Sequence, residues 1–331
     1  MPRIRRKASF PALLLVSALA LAGGCALQLL TGAYDVSAWD AAAREVVWTL
    51  RLPRVVCGCL VGAGLACAGA VFQAITLNEM ASPYLLGVSQ GAGLAVTLVL
   101  ALAPALAPAL PLCAMVGALA AFFLVYAIAW KGGASPVRLV LAGVVLGAVV
   151  GSVQTALSFC LEDVQTAQAI VSWLAGSLAG AGWAEVRRAL PWTAVAVAGM
   201  FVLARHMDML LLGEDGARVL GVPVNGLRFA LALLAALASA SAVSAAGLVG
   251  FVGLVVPHAV RTFTGPDHRR LLAGCLVAGP ALLVVSDAAA RLLVRPMQLP
   301  VGVVTGVLGG IFFLALLRTG RRRFAIGGRD A

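Results

Sequence analysis

Residues 54–76, RVVCGCLVGAGLACAGAVFQAIT, carry a single charge, at their first position. A helix of that length crosses the roughly 30 Å hydrocarbon core of a bilayer. The pattern recurs on both sides. Read with a window of about 19 residues, apolar segments lie near 9–31, 54–76, 84–104, 111–130, 137–159, 190–206, 228–246, 248–264, 270–292 and 300–318. The division at Gly247, between the seventh and eighth segments, is the least marked. The expected fold class is therefore all-α, a polytopic membrane protein with about ten transmembrane helices, in which residues 1–331 form one transmembrane domain. Composition agrees: 62% of residues are hydrophobic, 11% are charged and the mean hydropathy is +1.03, far from a soluble globular chain.

Threading these segments alternately from a cytoplasmic N-terminus places seventeen of the 24 basic residues on one side. That side holds the run from Arg3 to Lys7, Lys131, Arg138, Arg205, Arg218, Arg228, Arg261, Arg269, Arg270 and the basic residues from Arg318 onward. The other holds Arg44, Arg51, Arg54, Arg187, Arg188, Arg291 and Arg295. Excess Lys and Arg mark the cytoplasmic face, so both termini are expected in the cytoplasm.

The net charge of +11 does not point to nucleic acid, because the basic residues sit in short loops and at the termini rather than on one folded face. Orientation and contact with membrane lipid account for them. The basic start followed by an apolar run to Leu30 has the outline of a signal peptide, with Ala22-Gly23-Gly24-Cys25 as a poor lipoprotein cleavage box. With further apolar segments downstream, a retained first helix is the better reading. The seven cysteines form no CxxC pair and have no histidine at ligand spacing, so no metal site or other cofactor is expected. Trp39, Trp48, Trp173, Trp183 and Trp192 fall in or beside outer loops and Trp130 at an inner end, as an interfacial aromatic belt would have them.

Gly143, Gly147 and Gly151 recur every four residues in the fifth segment, and Gly302, Gly306 and Gly310 in the tenth. Such ridges let helix backbones approach closely, either within one chain or between subunits. The fifth segment also carries Ser152, Gln154, Thr155 and Ser158, polar groups that need protein partners or a water-filled path at membrane depth. It is the candidate pore helix.

Neither Lys7 nor Lys131 follows a Gly-rich GxxxxGK pattern, so the chain does not cradle ATP itself. Ion-coupled carriers bury carboxylates near the midplane, whereas the 13 acids here lie in loops or near segment ends, Asp287 being the deepest. The energy is expected to come from another subunit. A receiving surface is visible within residues 207–227, where Leu211 to Pro223 reads as a short helix: Glu214 and Asp215 in its first turn, Arg218 four residues after Glu214, then Gly221 and Pro223 as a stop. Gly216 and Ala217 leave room for close docking. An ordinary loop helix would read the same way.

Several strings then resemble a known family: Arg51-Leu52-Pro53-Arg54, Gly69-Ala70-Val71-Phe72-Gln73, Ala81-Ser82-Pro83 leading to Leu86-Gly87-Val88-Ser89-Gln90-Gly91-Ala92-Gly93, and Leu141-Ala142-Gly143. Further on come Trp173-Leu174-Ala175-Gly176-Ser177-Leu178, the loop from Gly213 to Val222, Gly250-Phe251-Val252-Gly253-Leu254-Val255-Val256-Pro257-His258, Gly265-Pro266-Asp267-His268-Arg269-Arg270 and Leu299-Pro300-Val301-Gly302. Together, over about residues 48–318, they resemble the permease subunits of binding-protein-dependent ABC importers of the iron-siderophore, haem and vitamin B12 group.

The resemblance implies a ten-span homodimer with its substrate path on the dimer axis, two cytoplasmic ABC ATPase subunits, and an extracytoplasmic substrate-binding protein. It makes Gly213, Glu214, Gly216, Ala217, Arg218 and Gly221 the ATPase-coupling loop. Arg51, Arg54 and Arg291 match outer positions that dock the binding protein, a task suited to the planar guanidinium fork. Asn78, Glu79 and Met80 fall at the cytoplasmic gate, where the family usually writes Asn-Pro-Leu-Ala; Glu79 removes the proline's restriction and adds a charge. Ala246 to Gly250 lacks the proline often found before Phe251, and Met297-Gln298 stands where an acid often precedes Leu299-Pro300. His258, after Pro257, belongs to the family pattern whatever the cargo, so it is read as structural and not as a metal ligand.

The expected function is a permease in the prokaryotic plasma membrane that imports a metal chelate, in the first place a ferric siderophore. It makes and breaks no bond in the cargo. Haem or a corrinoid is the alternative cargo. An ion-coupled carrier lacks midplane acids here, and an intramembrane enzyme would need catalytic groups that converge, whereas His258 and Asp287 are expected near opposite faces.

Overall fold

Where no water reaches the backbone, every amide must find its partner inside its own segment, and the regular elements among the described residues are accordingly helices. The computed structural model describes residues 10–32, 40–130, 135–161, 163–294 and 297–320. Arg3, Arg5, Arg6, Lys7, Trp39, Lys131, Arg295 and the basic residues beyond Arg318 lie outside the described residues.

The helices are α1 (Phe10–Leu30), α2 (Ala41–Val46), α3 (Leu52–Thr76), α4 (Val88–Leu102), α5 (Leu110–Ala129), α6 (Pro136–Phe159) and α7 (Val164–Leu174). They continue as α8 (Trp183–Leu210), α9 (Gly213–Val219), α10 (Val224–Ala246), α11 (Val252–Thr264), α12 (His268–Leu292) and α13 (Val301–Gly320). Asp40, Asp163 and Asp267 cap α2, α7 and α12 by accepting backbone N–H groups, the usual remedy for the unpaired first-turn donors. At Asp163 the Thr166 hydroxyl and the N–H groups of Gln165 and Thr166 hold the carboxyl below its ordinary range.

Seven helices among the described residues are long and apolar enough to cross a membrane. The chain from Ala41 to Thr76 forms one of these, with a π-helical turn at Val47–Arg51 joining α2 to α3. The expected start at Arg54 is therefore late, because the helix continues outward through Arg51 and Arg44. Two of the ten expected segments form shorter elements: at 15 and 13 residues, α4 and α11 rise only about 22 and 20 Å, whereas α13 runs the full 20 residues of Val301–Gly320.

The division at Gly247 is a true break. Gly247 and Phe251 both take positive φ (67° and 66°), and the irregular backbone between α10 and α11 is held from outside. Ser177 N–H donates to Ala246 O at 2.8 Å, and the turn that carries Ser177 is itself tied to α13 by Gly302 N–H to Gly176 O at 3.1 Å. Non-helical backbone in a membrane domain is tolerated where protein satisfies it.

α3 is the central staff: 83% of its most apolar window is buried, against 11% in α1 and 17% in α6. It packs against α12, α10, α8 and α11, and small residues set the spacing. A Cβ on Gly69 would sit 1.7 Å from Gly253 O, and one on Gly62 2.6 Å from Gly279 O, so only glycine permits these backbone contacts. The ridge expected at Gly302, Gly306 and Gly310 works differently. Gly302 meets Ala175 O, but a Cβ on Gly306 or Gly310 would have open space. It is Gly309 that receives the Phe251 ring, whose Cγ would be 2.2 Å from a Cβ there. That contact seats the left-handed Phe251 at the break.

Candidate functional site

Three clusters and one inter-helix seam gather the sequence-predicted site residues. The first cluster joins the C-terminal end of α1 to the beginning of α3 and the end of α12. Arg54 grips Asp287 with two bonds, Nε to Oδ2 and Nη2 to Oδ1, each 2.8 Å. Gln28 Nε2 donates to the same Oδ2 at 2.9 Å and to Val284 O, while Arg54 Nη1 donates to Gln298 Oε1 at 2.9 Å. Asp287 is fully buried and Arg54 8% exposed. Gln298, which departs from the resembled pattern, thus gives the third arm of Arg54 a neutral acceptor.

Arg51 Nη1 donates to Leu29 O at 2.6 Å, and Arg291 donates to Gln28 O and Thr31 O at 3.4 and 3.1 Å. Both arginines therefore sit on the unpaired carbonyls that end α1, where a helix favours positive charge. The three arginines do come together, but Arg51 is 5% exposed and Arg291 half-buried. Within this chain, their contacts secure α1.

The second cluster is the turn after α3. Leu77 ends the helix in the left-handed region (φ 51°), and Asn78 Oδ1 accepts from Met80 N–H at 2.9 Å. Asn78, Glu79 and Met80 are all exposed. Glu79 Oε2 lies 3.5 Å from His258 Nδ1, and the His258 ring meets Phe312 of α13 edge-on at 6.1 Å between centroids. A charge on this turn thus faces α11 where the resembled pattern has a proline. Asp287 and His258 each have a partner of their own and do not converge.

The third cluster is α9. Gly213 and Gly221 take φ of 83° and 79° at its two ends, and Gly221 and Val222 N–H close the helix onto Arg218 O and Ala217 O. Glu214 is held from two sides, by Arg218 Nη2 at 3.1 Å and by Arg228 Nη2 of α10 at 2.8 Å. Arg228 is 3% exposed. Ala217 is fully buried and faces the chain's own core, whereas Gly216 has only Leu212 near it. The exposed side of this loop consists of Asp215, Arg218, Val219 and Leu212, with Val219 87% exposed. Sequence reading counted Arg228 only as an inner charge; its place in the second turn of α10, 14 residues after Glu214, was the available signal.

The seam lies between α6 and α4. Gln154 reaches across to Gly93, where a Cβ would be 2.7 Å from Nε2, and Gln90 reaches back to Gly147 at 3.1 Å. Gln154 Nε2 and Gln90 Oε1 are buried with no hydrogen-bond partner among the described residues. Gly143 is buried, while Gly151 has open space beside it. Ser152, Thr155 and Ser158 are exposed and bond to the carbonyls four residues back, which satisfies them without a neighbouring helix.

Comparison with known proteins gives this arrangement its context. The model of the FecCD transport family matches residues 9–319. The chain belongs to the FecCD transport family. This FecCD chain is 35% identical over 327 residues to the Fe(3+)-citrate import system permease protein YfmD of Bacillus subtilis, covering 96% of this chain and 97% of that one. It is 39% identical over 316 residues to the Fe(3+) dicitrate transport system permease protein FecD of Escherichia coli, covering 92% and 98%. With the cobalamin import system permease protein BtuC of Halobacterium salinarum it shares 41% identity over 277 residues, 83% and 74% of the two chains. A solved structure described as an inward-facing conformation of a metal-chelate type ABC transporter superimposes with a TM-score of 0.87 at 27% identity, covering 93% of this chain and 99% of that one. The chain is a multi-pass plasma-membrane permease of this family.

Proposed function

We propose that this chain is the membrane-spanning permease subunit of an ABC importer that carries a metal chelate, in the first place a ferric siderophore, into the cytoplasm. The observation that carries this reading is identity over nearly the whole length with permeases named for ferric citrate. The chain works as a homodimer with two ATPase subunits at the α9 end and a substrate-binding protein at the other. It makes ten crossings, with α4 and α11 contributing the shorter ones, and both termini are cytoplasmic. No bond in the cargo is made or broken by this chain.

In this reading α9 docks on the ATPase through Asp215, Arg218 and Val219. Asn78, Glu79 and Met80 stand at the inner gate, and α6 with Gln154 lines the path. ATP-driven closure of the ATPase pair moves α9, and the paired permeases switch the side to which the path opens. At the outer end Arg291 is the arginine placed to meet a carboxylate of the binding protein, with Arg51 and Arg54 underpinning it. Arg291→Glu is expected to weaken binding-protein association about tenfold at low salt and far less at high salt, with ATPase binding unchanged. Surface-plasmon titration at two ionic strengths checks this; equal affinity in the variant removes Arg291 from the docking surface.

The cobalamin permease match keeps a corrinoid as the second cargo, with haem beside it. Uptake into cells lacking the chromosomal system and supplied with the full complex, using labelled ferric citrate, ferric hydroxamate, haem and cobalamin in turn, separates these. ATP-dependent uptake of a ferric chelate supports the proposal. Uptake that survives ATP depletion but collapses with the ion gradient would replace it with a secondary carrier.

A further inference from the structure

The last turns of α8, the first two turns of α12 and the first residue of α1 border an open pocket of about 460 Å³ that the transport reading does not use. Phe10, Phe201 and Ala273 give it an apolar floor, and its charged rim is Arg205, Asp208, Asp267, Arg269 and Arg270. Both rim acids are already engaged. Asp208 faces the buried His268 ring at 2.7 Å from Nδ1 and accepts its backbone N–H at 2.9 Å. Asp267 accepts the backbone N–H of Arg270 at 3.0 Å and pairs with the same guanidinium at 3.2 Å. Arg205 and Arg269 are exposed and have no ion-pair or hydrogen-bond partner among the described residues.

We propose that this pocket is a binding site for the phosphate of an anionic phospholipid, held by Arg205 and Arg269. Guanidinium groups bind phosphate through paired N–H donors, and basic pockets between membrane helices select anionic headgroups. A lipid is favoured over a soluble anion because the rim charges sit above apolar surface. Phe201 lines the floor, and Val202 and Val195, 76% and 60% exposed, lie seven residues apart on one α8 face, with Arg205 one turn beyond Val202. That strip gives an acyl chain a track leading away from the headgroup.

Native mass spectrometry of the delipidated full chain, titrated with phosphatidylglycerol, cardiolipin or phosphatidylcholine, tests the site, with thermal stability as a second readout. One anionic lipid per chain is expected to bind about thirtyfold more tightly than phosphatidylcholine, two arginines near the surface supplying the difference. Arg205→Gln with Arg269→Gln should erase that preference. Arg187→Gln with Arg188→Gln, an equal loss of charge at the opposite end of α8, should keep it. Undiminished selectivity in the first variant, or equal loss in the second, overturns the site. Inorganic phosphate that matches the lipid's stabilisation at millimolar concentration, and is lost in the first variant, overturns the lipid as its source.

Discussion

Asp287→Ala is expected to destabilise this permease by about 3–5 kcal/mol, the cost of leaving one member of a buried ion pair without its partner. Arg54 is 8% exposed and directs two of its three arms at Asp287. With the carboxylate gone, its charge stays in the helix bundle with only Gln298 to meet it. Gln28 loses an acceptor at the same time, so α1 loosens from α12 as well. Asp287→Asn should fall between wild type and Asp287→Ala, because an amide offers one acceptor where the carboxylate served three N–H donors. The decisive variant is Arg54→Met with Asp287→Leu. Paired replacement by apolar residues of similar volume is neutral or stabilising in buried pairs, so the double variant should recover most of the loss. Thermal unfolding in one detergent, followed by fluorescence-detected size exclusion, measures all four proteins. A double variant as unstable as Asp287→Ala would show that shape, rather than an unpaired charge, sets the cost.

That pairing lies beyond what the sequence discloses. Arg54 and Asp287 are separated by 233 residues, and each alone reads as a charge near the end of an apolar segment. Arg51 and Arg291 likewise read as outward charges, whereas the fold turns both onto the last carbonyls of α1. An unpaired helix end draws the nearest cations regardless of their role on the surface. The apolar segments themselves were legible because hydropathy and length decide membrane insertion locally. Their exact extents were not. Charges at Arg44 and Arg51 disguised the helical stretch from Ala41 to Arg54, and the apolar residues Leu248 and Val249 disguised an irregular turn as helix. The glycine ridge is settled only in part. Within the chain Gly302 alone of the three meets another backbone and the Phe251 ring takes Gly309, one residue off the ridge, so Gly306 and Gly310 keep their open face for the other expected role, contact between subunits. That α9 is a short helix is legible, since first-turn acids and an arginine one turn later are local signals; that Ala217 faces inward, away from any partner, depends on where α8 and α10 stand.

Arg228→Met is expected to leave the ATPase bound while lowering substrate import per ATP hydrolysed by about tenfold to a hundredfold, the range set by losing a charged hydrogen bond of about 1.5–3 kcal/mol. Glu214 on α9 and Arg228 on α10 meet at 2.8 Å, and this is the ion pair that links the proposed docking helix to a long membrane helix. A seven-residue helix has little rigidity of its own. Its position relative to the bundle therefore depends on such ties, on the buried Ala217 and on the bonds that close it at Gly221. Arg218 also pairs with Glu214 at 3.1 Å, but it is on α9 itself and exposed, so it orients the carboxylate without joining the two helices. Glu214→Gln should share the Arg228→Met phenotype in weaker form, and the two together should be no worse than Arg228→Met alone, as for residues acting through one contact. Arg228→Lys should restore part of the coupling, since an ammonium can reach the carboxylate without the planar fork. Import and ATP hydrolysis measured side by side in proteoliposomes separate these outcomes from simple misfolding, which would lower ATPase binding too. Normal stoichiometry in Arg228→Met would remove this ion pair from the force path and leave Ala217 and the Gly221 closure to carry the motion.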